Sequence, residues 1–138
     1  MRCDGNTTQE FQATVAQWPA AAINPDFKRR YDELIHQPML ELPSDLRADG
    51  FKTYFVSGSS EFIGAFAERV YGERPDMVIG STIVTKFVVR NGESTLLQEP
   101  KINFIDDKVG MPFGINEYLS RRPIAAFGNA DGDFEMLQ

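Results

Sequence analysis

A chain of 138 residues with 42% hydrophobic, 12% aromatic and 25% charged side chains holds enough apolar material for one core and is too short for two full domains. That balance excludes the collagenous, low-complexity and disordered classes. A formal charge of -6, with basic side chains scattered apart from Arg29-Arg30 and Arg121-Arg122, argues against a nucleic-acid partner, and no apolar run nears the roughly 20 residues of a bilayer span, so the chain reads as soluble, with no membrane partner.

Thr7-Thr8-Gln9-Glu10 has the capping-box pattern, and Phe11, Val15 and Trp18 follow at helical spacing. The spacing predicts a helix over about 8–18, ended by Pro19. A turn-rich stretch leads to a second helix, with Pro38 in its first turn, an apolar stripe of Leu42 and Leu46, and Gly50 as its stop. Pro43 opposes that helix, because an interior proline removes an amide donor.

The aromatic and β-branched run 51–57 between Gly50 and Gly58 predicts a strand. Ser59 or Ser60 is then expected to cap a helix through Phe62, Phe66 and Val70 to Gly72, making the first half of a βαβ unit. Asn91-Gly92 between 82–90 and 93–98 predicts a two-residue hairpin turn, and the hairpin reads as an antiparallel insert. A further helix is expected over 116–120, extending back toward Pro112. The run 123–127 reads as a buried parallel strand. Residues 134–138 look like the first turn of another helix, so the chain reads as incomplete at its end.

Ligands of open α/β sheets bind beyond the carboxyl ends of the strands, and two such ends carry polar loops with glycine. Ser57-Gly58-Ser59-Ser60 sets a hydroxyl and several amides at an expected helix N-terminus, which suits an anion such as phosphate. Its alternative reading is a plain turn and helix cap. Asn129-Ala130-Asp131-Gly132-Asp133 concentrates hard oxygen ligands suited to magnesium, with an Asx turn as the alternative. An EF-hand fits poorly, because Phe134 stands where that loop needs glycine. Cys3 and His36 are single residues of their types, so neither a cysteine cluster nor a multi-histidine site is expected.

Four segments, 51–58, 67–72, 104–108 and 121–133, together resemble the haloacid dehalogenase superfamily hydrolases, in the phosphoserine-phosphatase-like branch. The resemblance runs from about Thr7 to Gln138. It implies a Rossmann-like core, a parallel sheet with helices on both faces, here carrying a hairpin insert and incomplete at both ends. It also implies a magnesium-dependent phosphomonoester hydrolase that works through a phosphoaspartate. Ser57 matches the phosphoryl-binding position, with Gly58 and Ser59 beside it, and Asn129 and Asp133 match the metal-binding positions, with Asp131 as their neighbour. The sequence departs from the pattern at the first motif, since it contains no Asp-x-Asp-Gly-Thr; Asp4-Gly5-Asn6-Thr7 is a faint echo. It departs again at the lysine motif, where Met111 stands and Lys108 is the nearby cation. The expectation is a small phosphorylated ligand and Mg2+, with no turnover by this chain alone. The alternative is a non-catalytic module that binds phosphate or a partner and self-associates through an exposed sheet edge.

Overall fold

The computed structural model describes residues 6–138, so Cys3 and Asp4 lie outside the described residues. The chain is α/β, with helices and a mixed three-stranded sheet of order β1-β2-β3. It divides into two compact units, one of Gln9–Phe55 and Phe62–Val78, the other of Val56–Glu61 and Ile79–Gln138 with the described residues 6–8. Among the described residues no helix is long and apolar enough to cross a membrane.

The first unit is built on three helices: α1 (Thr8–Ala21), α2 (Pro38–Ala48) and α3 (Gly64–Tyr71). Its apolar centre includes Phe11 and Ala67, and Phe11 meets Phe62 edge to face at 5.3 Å. Pro19 does not end α1. It sits inside the last turn, which closes when the Ala22 amide donates to the Trp18 carbonyl at 2.8 Å. Pro43 likewise lies within α2 without stopping it. The stop is Gly50, at φ +84: its amide reaches the Arg47 carbonyl and the Phe51 amide reaches that of Leu46, a Schellman ending that needs the left-handed conformation. Buried Glu73 accepts from Arg47 at 3.0 Å and from the Thr53 hydroxyl, tying the approach to β1 onto α2.

Strand β1 (Phe55–Ser60) begins later than expected and runs on through Ser60. Residues 51–54 are held by the α2 ending and by the Thr53 contact instead of a ladder. At the other end Gly80 lets two backbones close up, since a Cβ there would stand 2.8 Å from the Ser59 carbonyl oxygen and 2.7 Å from the Glu61 nitrogen. The extended chain therefore continues where a turn and helix cap were expected. A 3-10 turn over Glu61–Ile63 intervenes, and α3 starts at Gly64 behind Ile63, with no side chain capping it.

Strands β2 (Val78–Arg90) and β3 (Glu93–Phe104) form the expected hairpin around Asn91 (φ +53) and Gly92 (φ +84), with Arg90 opposite Glu93 and Phe87 opposite Leu96. Both strands are longer than the sequence suggested, and β2 is the central strand of the sheet, so the hairpin is part of the sheet itself and not an insert. Helix α4 (Gly110–Leu119) follows and ends at Ser120. Its buried Met111 and Ile115 pack in the same unit as fully buried Ile79.

The run 123–127 is not a strand. Ile124 is 86% exposed and Phe127 51%, because no described strand offers this segment a ladder partner. The chain then enters a 3-10 helix over Asp131–Leu137, where an α-helical first turn was expected.

Candidate functional site

Within the sheet-bearing unit, the end of β1, the turn from β3 into α4 and the loop 128–133 come together around Asp106 and Asp107. The turn is compact: the Gly110 amide donates to the Asp107 carbonyl at 2.9 Å and the Met111 amide to that of Lys108 at 3.0 Å. Lys108 takes a left-handed φ of +52, and its amide donates to the Gly132 carbonyl at 3.1 Å. That bond joins the acidic loop to the turn. The β1 end is joined through Ser81, whose hydroxyl donates to the Gly58 carbonyl at 2.9 Å while accepting from the Asp106 amide at 2.9 Å.

Asp107 Oδ1 lies between the two sequence-predicted loops. A Cβ built on Gly58 would stand 3.8 Å from this oxygen, and one built on Gly132 would stand 2.5 Å from it. Gly132 gives the Asp107 carboxylate room on the loop side, whereas a Cβ at Gly58 would meet it only at ordinary van der Waals distance.

Ser57 is half-buried in the middle of β1, three residues before its end, and its hydroxyl accepts from the Ser59 amide at 3.2 Å. Gly58 and Ser59 are exposed. Their amides belong to a strand end, not to a helix N-terminus, so no helix dipole acts on an anion there: the helix begins at Gly64. Lys108 is exposed and lines an open depression of about 450 Å³ with Asn129, Asp131 and Glu135. Ser57 does not line that depression. Met111 is 3% exposed, so it serves packing under α4.

Asp133 is occupied in part by its own loop. Its Oδ2 accepts from the Asn129 amide at 2.9 Å and the Ala130 amide at 3.0 Å, which is the backward-reaching half of a capping box at the start of the final 3-10 helix. Among the described residues no group of three or more His, Cys, Asp or Glu side chains is placed to hold a metal.

Asp106 and Asp107 were not singled out as site residues from the sequence. Asp106 is fully buried two residues past half-buried Phe104, yet Ile102 at the same strand period is 61% exposed, so alternation gives no signal for it. Neither carboxylate oxygen of Asp106 has a hydrogen-bond partner in strict geometry. Burial pushes its pKa up to about 6, against a lowering pull from the Ser57 backbone amide and with a further push from the Asp107 charge. Nearby, Tyr118 donates to Glu61; burial raises both pKa values.

No family model matches the chain, and no curated protein matches it. A solved structure of similar shape is that of a conserved, functionally unknown protein from Anaerococcus prevotii, at 22% identity and a TM-score of 0.69. The likeness covers 97% of this chain and 41% of that one, so this chain spans less than half of that protein's length. The similarity is one of fold.

Proposed function

We propose that the chain is related to the haloacid dehalogenase phosphatases and that its sheet-bearing unit holds a phosphate monoester beside a magnesium ion on the rim around Asp107. The observation that carries this reading is the approach of Gly58 and Gly132 to one oxygen of Asp107, since it brings the predicted anion segment and the predicted metal loop to the same carboxylate. Ser57 and the Gly58 and Ser59 amides would hold the phosphate. Asn129, Asp131 and Asp133 offer only oxygen donors, which fits magnesium, an ion commonly held by one or two carboxylates with water and substrate phosphate completing the shell. When bound, magnesium neutralises phosphate charge. Lys108, in the depression with Asn129 and Asp131, would add a second positive charge.

The reaction of those phosphatases starts with a nucleophilic aspartate, and the Asp-x-Asp-Gly-Thr that supplies it is missing from this sequence. The expected result is no saturable turnover of p-nitrophenyl phosphate with magnesium by this chain, and turnover appearing only when a segment bearing that motif is supplied. Saturable hydrolysis by the chain alone, abolished in Asp133→Ala, would show that the nucleophile lies elsewhere.

A second reading is favoured by the exposed apolar run 123–127 and by the outer edge of β1, with which no described strand pairs. In that reading the chain is a non-catalytic module that binds a partner or a second copy along this edge. A monomer across a wide concentration range in sedimentation would count against self-association.

A further inference from the structure

Within the sheet-bearing unit, a groove of about 360 Å³ lies between α4, residues 121–126 and the final 3-10 helix. Its apolar lining includes Pro112 and Ile115 of α4, Ile124 and Leu137, and Ile124 stands 86% exposed. Residues 121–126 form one side of the groove, and among the described residues none of the six makes a hydrogen bond or an ion pair. Their N–H and C=O groups are left to solvent, which a second main chain can replace.

The charges indicate what kind of chain fits. The protein carries a formal charge of -6, yet two arginines and a single carboxylate line this groove. Arg121 and Arg122 are exposed and have no acidic partner among the described residues, and a planar guanidinium is suited to pairing with a carboxylate. The carboxylate is that of Glu135, and one of its oxygens is buried without a donor. A main-chain N–H of an occupant would supply one.

We infer that this groove is the docking site for an extended acidic segment of a partner protein, with branched apolar side chains seated against Ile115, Ile124 and Leu137 and carboxylates on Arg121 and Arg122. The inference rests on the second reading above, which it narrows to one surface and one class of partner, and it is independent of the phosphate reading. A second copy of the chain is the less favoured occupant, because it would bring a further charge of -6 onto a molecule that already carries the same. A short acidic segment offers its carboxylates to the arginines without that wider repulsion.

The probe is an end-blocked peptide, Glu-Glu-Val-Ile-Val-Ile-Glu-Glu, acidic at both ends so that either chain direction meets the arginines; its counterpart has lysine in place of each glutamate. Binding to the whole chain is read from the amide resonances of Arg122, Ile124, Ala125 and Ala126. The expected result is saturable shifts with the acidic peptide, and affinity lower by about tenfold both for the lysine peptide and in the double variant Arg121→Glu, Arg122→Glu. Both arginines are exposed, so the variant leaves the core untouched. Equal affinity for the two peptides would overturn this inference and leave the partner-binding reading standing. Absence of shifts with either peptide would overturn the inference and that reading's use of this run. Shifts of the same amides that grow with protein concentration, without peptide, would make a second copy the occupant and also overturn it.

Discussion

Gly110→Ala is expected to destabilise the chain by at least about 3 kcal/mol, more than any other single methyl group added to the β3–α4 turn. A Cβ at position 110 would overlap the Ile105 carbonyl oxygen, which is backbone and has no rotamer to retreat into. Gly110 is also buried, and its amide closes the turn onto Asp107, so relief requires the first turn of α4 to move away from the end of β3. That movement would carry Asp106, Asp107 and Lys108 with it. Urea denaturation of the variant should show a lower midpoint. The neighbouring contrast is Gly132→Ala, whose new methyl meets the side chain of Asp107, a group that can swing aside. Its cost should be smaller, and a Gly110→Ala variant as stable as Gly132→Ala would contradict this description of the turn.

Asp106→Asn is expected to stabilise the folded chain by about 2 kcal/mol at pH 8 and to have little effect near pH 4. The folded pKa of about 6 lies above the ordinary 3.8, so the folded state binds the proton more tightly than the unfolded state does. The carboxyl therefore costs the fold nothing below the unfolded value, and its penalty grows as the pH rises through the window from about 4 to 6. Fully developed, that difference corresponds to about 3 kcal/mol, and the asparagine amide, itself short of partners in this site, gives part of it back. The comparison of variant with wild type at each pH isolates this one group from the other carboxylates. A constant difference across the range, or a variant less stable at pH 8, would show that the carboxylate is compensated by a donor.

Much of the local structure was legible because it depends on short-range chemistry. Asn91-Gly92 can take the two left-handed positions of a tight hairpin turn, and Gly50 and Gly72 end their helices for the same reason. What was not legible depends on neighbours distant in sequence. The Ser57–Ser60 stretch looks like a cap by composition, yet Gly80 on β2 allows a second backbone to approach and keeps it extended. The run 123–127 has strand composition, but composition supplies no ladder partner, and its side chains remain in solvent. Pro19 and Pro43 show the same limit in helices, where packing and flanking turns hold the chain past a missing donor.

The site was legible as two polar loops expected on one rim. Ser57 and Asp133 stand out through their loops and the family resemblance, whereas the Asp107 carboxylate belongs to an Asp-Asp-Lys turn that invites a reading as solvated surface. Burial of Asp106 carries no sequence signal, because aspartate generally prefers water and Ile102 at the same strand period is exposed.

The most direct test is manganese titration of the whole chain, followed by loss of amide signal intensity, since manganese replaces magnesium at oxygen sites and broadens nearby nuclei. Selective broadening of Asn129–Asp133 together with Gly58 and Ser59, reduced in Asp133→Ala, is the predicted result. Broadening confined to unrelated acidic surface, or loss at 129–133 with Gly58 and Ser59 unaffected, would contradict a common rim for the metal and the phosphate.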